Sequence, residues 1–175
     1  MYEGNFPNKR YKHTLLFLQE IIKKEEKILD LGVSNPFSEI MKKYGYSVIN
    51  TTGEDLDLDT SSVQNEEVTA FEIFEHLIAP FNILKDIKAN KLVASVPLKL
   101  WYANAYQSKT DKLDRHYHEF EDWQFDWLLE KAGWQIKKRE KFTNPVKKIG
   151  FRPILRRFTP RYYLVYAERI KHYNH

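Results

Sequence analysis

The stretch "KILDLGVSNPFSEI", Lys27 to Ile40, decides how the rest of the chain is read. A short apolar run closes on Asp30 and Gly32, and Pro36 follows where a helix can begin. Glycine permits a positive φ and a close backbone approach, and proline in a first helical turn forfeits no N–H that the helix needs. This is how a nucleotide-binding strand and turn begin, although the later glycines of such a loop are missing.

Working outward, "NKRYKHTLLFLQEIIKKEEK" spaces Tyr11, Leu15, Leu18 and Ile22 at helical intervals without an internal glycine or proline, which predicts a helix from about Lys9 to Lys24. On the other side, a helix from Pro36 to about Tyr44 leads into "GYSVINTT", a second strand by its β-branched content. The next segment, "GEDLDLDTSSVQNEE", leaves room for one short strand around Asp55 to Leu58 but not for full helices beside it, so the domain is trimmed there. "VTAFEIFEHLIAPFNILKDI" passes from a strand into a helix, or into a helix broken by Pro80, and "NKLVASVPL" is a further buried strand. Lys99 to His118 is a polar and aromatic connection too long for an idle link. "EFEDWQFDWLLEKAGWQIKKREKF" predicts an amphipathic helix stopped at Gly133 and then a strand, and "RYYLVYAERI" is the last strand.

Strand and helix thus alternate, which predicts a largely parallel sheet with helices on its faces. Ligands of such sheets bind beyond the carboxyl ends of the strands, here Asp30 to Asn35, Thr51 to Asp57 and Ala70 to His76.

The chain of 175 residues is 42% hydrophobic, which predicts one domain over residues 1–175. No apolar stretch approaches the roughly 20 residues of a membrane span, and the start has no secretory apolar region, so a cytoplasmic protein is expected. With no cysteine, disulfides and thiolate chemistry are excluded, and a zinc site could use only His, Asp and Glu. The net charge of +4 hides an asymmetry: Lys137 to Arg161 carries ten Lys/Arg against Glu140, so the remainder is net acidic. That segment is either a solvated face beside the strands or a contact for an anionic partner. With its interleaved Phe142, Phe151 and Phe158 it suggests nucleic acid, but an acidic body would repel nucleic acid, which is not the expected partner.

Taken in order, "ILDLGVS", "AFEIFEHLIAPFNIL", "LVASVP" and "HYHEFEDWQFDWLLEKAGWQI" resemble the class I S-adenosylmethionine-dependent methyltransferases, especially their small-molecule branch. The resemblance implies a three-layer, Rossmann-like sheet of seven strands, with the last strand inserted antiparallel. It also implies S-adenosylmethionine as cofactor. Asp30 and Gly32 fall on the first acid and first glycine of the family's loop, and Ser34 and Pro36 where its second and third glycines usually stand. Thr52 falls where an acid usually takes the ribose hydroxyls; Glu54 or Asp55, just beyond, could restore that acid, and Asp57 is a further candidate near the adenine. Phe71, Glu72, Glu75 and His76 fall on the segment that usually passes the donor's sulfonium end. The methyl donor has no pyrophosphate to cradle, so losing the later glycines matters less than it would in a dinucleotide loop.

Methyl transfer from a sulfonium needs mainly alignment and exclusion of water, with a general base where the acceptor is a hydroxyl or a protonated amine. His76, His116 and His118 are the candidate bases; the alternatives are a capping role for His76 and a structural pair for the other two. The i, i+2 spacing of that pair would suit a metal, yet no further ligand stands at a recognisable spacing, so none is expected. His172 and His175 are expected to be inert. Trp101, Tyr102 and Tyr106 form either an aromatic wall for the acceptor or a lid packed on the core. The leading reading is methyl transfer to a small-molecule, glycan or lipid-linked acceptor. The alternative is a catalytically inactive methyltransferase-like binding or assembly module.

Overall fold

In a computed structural model the described residues are 6–61, 67–104, 106–110, 114–143 and 151–171. His172 and His175 lie outside them, as does the middle of the basic segment. The elements run α1 (Phe6–Gln19), β1 (Lys27–Asp30), α2 (Pro36–Lys43), β2 (Ser47–Asn50), β3 (Glu67–Phe71), a single 3-10 turn (Phe74–His76), α3 (Pro80–Asp86), β4 (Lys91–Pro97), α4 (Asp122–Lys131), β5 (Trp134–Phe142), α5 (Phe151–Phe158) and β6 (Tyr162–Arg169).

The six strands form one sheet in the order β2-β1-β3-β4-β6-β5. The pairs β2–β1, β1–β3 and β3–β4 are parallel, while β6 enters antiparallel between β4 and β5. Alternate strand residues supply two cores. Leu29, Val68, Leu92, Ala94, Tyr163 and Val165 face Ile83 and Leu84 of α3 and Phe125 and Leu129 of α4. Ile28, Val93 and Leu164 face Leu15, Phe17 and Leu18 of α1 and Phe37 and Met41 of α2. The result is the expected α/β three-layer arrangement, a mostly parallel sheet with an antiparallel last strand. Full burial of each such side chain is worth about 1.5–3 kcal/mol, so these layers fix where the strand ends lie.

Two expectations are corrected. The strand proposed around Asp55 to Leu58 is a turn, closed by the amides of Leu58 and Asp59 on the Asp55 carbonyl at 2.9 and 2.8 Å. Leu56 is buried there as part of the core, and Asp57 accepts the amides of Ile78 and Ala79, both at 2.8 Å, ahead of α3. The segment thus serves as a plug and a cap, and among the described residues the sheet has six strands instead of seven. The second correction is α5, a helix where the sequence suggested only a basic connection.

Within that basic segment the β5 residues are paired: Lys137 with Glu168, Lys138 with Glu20, Arg139 with Asp126 and Lys141 with Asp122. On α5, Phe151, Ile154 and Phe158 are exposed. Among the described residues, no helix is long and apolar enough to cross a membrane.

Candidate functional site

The carboxyl ends of β1, β2, β3 and β4 converge, and the predicted donor-side residues gather there. Gly32 has φ +96°, and its amide donates to Thr51 Oγ1 at 2.8 Å. A Cβ at this position would meet Ile73 Cδ1 at 3.1 Å, a contact that a small shift of that side chain relieves, so it is the backbone conformation that calls for glycine. Asp30 is buried, accepting from Thr69 Oγ1 at 2.6 Å and from Asn50 Nδ2 at 3.1 Å. Burial pushes its carboxyl up to about 6 against these hydrogen bonds.

Asn50 also donates to the Gly32 carbonyl at 3.2 Å, which fixes its amide orientation and leaves Oδ1 buried without a hydrogen-bond partner. A buried acceptor without a donor, directly beside the loop, can take an N–H or O–H of a ligand. At the end of β2, the Glu54 carboxylate accepts both the amide and the hydroxyl of Thr52, at 2.8 and 2.9 Å. A carboxylate therefore stands directly on Thr52.

The helix start is occupied from within. Asn35 accepts the amides of Phe37 and Ser38 at 2.9 and 3.1 Å, and Ser38 Oγ returns to the Asn35 amide at 2.9 Å. Ser34 lies outside this box and donates to Glu39 at 3.0 Å. Phe71, at the end of β3, packs edge-on against Phe37 with centroids 5.1 Å apart.

The next residue, Glu72, has φ +59°, a conformation costly for a residue with a side chain. Its carboxylate takes a hydrogen bond from Ser95 at 2.8 Å and faces Arg10 of α1 at 3.3 Å, yet burial still raises it. Arg10 itself lies 5.3 Å from the ring centroids of both Tyr11 and Tyr162. Glu75 is only 1% exposed, and neither carboxylate oxygen has a hydrogen-bond partner. Burial, and after it the neighbouring Glu72 charge, holds this carboxyl well above the usual range.

The long connection returns to the same place. The amides of Tyr117 and His118 both donate to the Glu75 carbonyl, at 2.8 and 3.2 Å, which sets His116 against His76 with ring centroids 4.7 Å apart. The structure separates the candidate histidines: His118 Nε2 lies 3.2 Å from the Ile78 carbonyl, whereas His76 Nδ1 lies 3.0 Å from the Arg115 carbonyl. Burial, then His76, pushes the His116 ring down to about 4, so it is neutral at pH 7.

Tyr106 packs on His116 and donates to Asp114. His116, Tyr106, Leu100, Asn104, Pro97 and Arg161 line a cavity of about 140 Å³. Trp101 is 74% exposed and packs edge-on against Tyr102. Of the predicted aromatic wall, Tyr106 therefore lines this cavity, and Trp101 projects into solvent. Sequence reasoning missed Asn50, Arg10, Arg161 and the chemical weight of Glu75. Only Glu75 carried a signal, as an acid beside a histidine at a strand end.

No protein-family model matches the sequence, and no curated protein matches it at a significant level. Solved structures do match in fold. An S-adenosylmethionine-dependent methyltransferase from Mesorhizobium loti is 15% identical, with a TM-score of 0.60 over 88% of this chain and 96% of that one. The Burkholderia thailandensis 1,6-didemethyltoxoflavin-N1-methyltransferase, solved with S-adenosylhomocysteine bound, is 14% identical, with a TM-score of 0.59 over 95% and 84%. The [4+2]-cyclase SpnF is 12% identical, with a TM-score of 0.60 over 96% and 84%. Together with the strand order and the reversed β6, these matches give the chain the fold of the class I S-adenosylmethionine-dependent methyltransferases.

Proposed function

We propose that the chain is an S-adenosylmethionine-dependent methyltransferase acting on a small-molecule, glycan or lipid-linked acceptor. The observation that carries this reading is the set of groups at the ends of β1 and β2: a glycine at φ +96°, the unpartnered Asn50 Oδ1 and the Glu54 carboxylate on Thr52. When bound, the donor supplies an electrophilic methyl group on a sulfonium.

The chain's own part is binding, orientation and proton handling. Glu54 accepts from a ribose diol, Asn50 Oδ1 accepts from an ammonium, and Gly32 keeps the backbone clear of a Cβ. Phe71 and Glu72 bound the sulfonium end, and the Glu72 carboxylate, held by Ser95 and Arg10, adds favourable negative potential near it. On the acceptor side, His116 is a neutral imidazole on the cavity wall and is the residue placed to take a proton. Arg161, on the same wall, favours an acceptor that carries negative charge. The β5 cations of the basic segment are already paired, so an anionic partner there would compete with Glu20, Asp126 and Asp122 for them.

Calorimetry and thermal shift with S-adenosylmethionine and S-adenosylhomocysteine test the proposal. Micromolar-type binding is expected, and at a hundredfold excess over Kd a stabilisation of about 2.7 kcal/mol. Neither heat nor thermal shift with either compound would sink it.

One observation favours a second reading, a binding module without catalysis: Asn35 already occupies the first amides of α2, which a donor's polar end would otherwise receive. The [4+2]-cyclase SpnF has a comparable fold, so the fold alone does not dictate methyl transfer. Gly32→Val separates the two, abolishing donor binding and activity under the first reading and sparing partner binding under the second.

A further inference from the structure

The geometry points to a divalent transition-metal site formed by Glu75, His76 and His116, one carboxylate and two imidazoles whose ligand atoms all lie within 4.8 Å of one another. Three independent features of the residues lead there.

The first is the unsatisfied acid. Glu75 is 1% exposed with both oxygens unpartnered, and a buried carboxylate in that condition is costly unless a cation or proton meets it. The second is the tautomer of His76. Its Nδ1 lies 3.0 Å from the Arg115 carbonyl, which can only accept, so Nδ1 carries the proton and in the neutral ring Nε2 presents a lone pair. That lone pair stands 3.8 Å from Glu75 Oε1, facing it but too far for a hydrogen bond between them. A carbonyl holding the far nitrogen is also how metal-bound imidazoles are oriented.

The third feature is the delivery of the last ligand. The Tyr117 and His118 amides pin the connection to the Glu75 carbonyl, and the adjacent residue, His116, closes the group. A tetrahedral ion with ligands near 2.1 Å needs edges of roughly 3.4 Å, so modest side-chain rotations of His76 and His116 complete the set. Imidazole and carboxylate together suit zinc, cobalt, iron or manganese better than magnesium or calcium.

Three protein ligands leave a coordination position open. His116 is at once a ligand and a wall of the cavity of about 140 Å³, so that position gives onto the cavity, where water or an oxygen of the acceptor can enter. This last clause rests on the methyl-transfer reading, with a bound ion taking over from a free His116 imidazole the activation of the acceptor; the metal site itself does not.

The test uses the full chain without a purification tag, stripped with chelator and titrated with Co²⁺ and Zn²⁺, with Mg²⁺ for comparison. Visible cobalt absorption and calorimetry are read in parallel, with no methyl donor present, so failure here is distinct from failure of the function proposed above. One equivalent of Co²⁺ is expected with the absorption of a four- or five-coordinate ion, displaced by Zn²⁺. Glu75→Gln and His116→Ala should each weaken binding at least tenfold, while His13→Ala, whose ring meets Glu140 and is no member of the group, should not. Circular dichroism of each variant guards against misfolding, and His116→Ala alters a half-buried residue of the connection, outside the cores, should Glu75→Gln disturb the fold. Absence of stoichiometric binding, affinity unchanged in both ligand variants, or tighter binding of Mg²⁺ than of Co²⁺ overturns the assignment.

Discussion

Asp30→Asn should change how the stability of the fold depends on pH. The Asp30 carboxyl stands at about 6 in the folded chain against an ordinary 3.8, because desolvation outweighs the hydrogen bonds from Thr69 and Asn50. A carboxyl raised by folding binds its proton more tightly in the native state. Its contribution is therefore largest below pH 3.8 and is lost as pH climbs through 6. At about 1.4 kcal/mol per tenfold change in proton affinity, the whole loss is about 3 kcal/mol, of which about 2.5 kcal/mol falls between pH 4 and 7.5.

The variant has no such titration. Its amide still accepts from Thr69 but sets an NH₂ against that of Asn50, a penalty of about 1–3 kcal/mol with little pH dependence. Urea unfolding of both proteins, followed by circular dichroism from pH 4 to 7.5, gives the difference in stability at each pH. Glu72 and Glu75, also raised by burial, titrate in both proteins and largely cancel in that difference. The native chain's advantage over the variant should shrink by about 2.5 kcal/mol across this range, or about 5–10 °C in Tm for a chain of this size. A difference constant to within about 0.5 kcal/mol would refute the reasoning.

Three further outcomes are expected. Glu54→Gln should lower affinity for S-adenosylhomocysteine about 10- to 100-fold by calorimetry, the worth of about 1.5–3 kcal/mol for hydrogen bonds to a charged group, and leave the melting temperature of the free chain nearly unchanged. Trp134→Phe should cost about 2–4 kcal/mol in urea unfolding followed by circular dichroism, since the fully buried indole donates to the Leu84 carbonyl at 2.9 Å and stacks with Arg169 at 4.0 Å. Asn35→Ala should cost about 1 kcal/mol through loss of the capping box, read as a lower Tm.

The architecture was legible because alternating periodicities leave few options: strands β1 and β4 read as apolar runs, and Pro36, Gly133 and Pro80 mark element ends. The turn at Asp55 to Leu58 was misjudged for a specific reason. Its alternation of Asp and Leu imitates a half-exposed strand, but Leu56 is a single plug and Asp57 is committed to the Ile78 and Ala79 amides.

The candidate site was readable where a residue's place follows local spacing, as at Asp30, which closes β1, and Gly32, whose φ is positive. Asn50 was not, because its orphaned oxygen arises from contacts with β1 that no local pattern encodes. The same holds for the group of Glu75, His76 and His116. The i, i+2 pair of His116 and His118 drew the eye, while the fold parts those two and joins His116 to residues some forty positions earlier.

The position of β6 carries a consequence for how the chain is made. Among the described strands, β5 pairs only with β6, and β6 alone closes the free edge of β4. During synthesis, the edges of β4 and β5 therefore stay open until Tyr162–Arg169 has cleared the ribosome, however far the β1–β3 half has settled. The exposed β4 edge invites wrong partners in that interval. A chain arrested before Tyr162 is in the same position permanently, with a four-strand sheet and an orphaned ribbon, and belongs among the targets of cellular quality control.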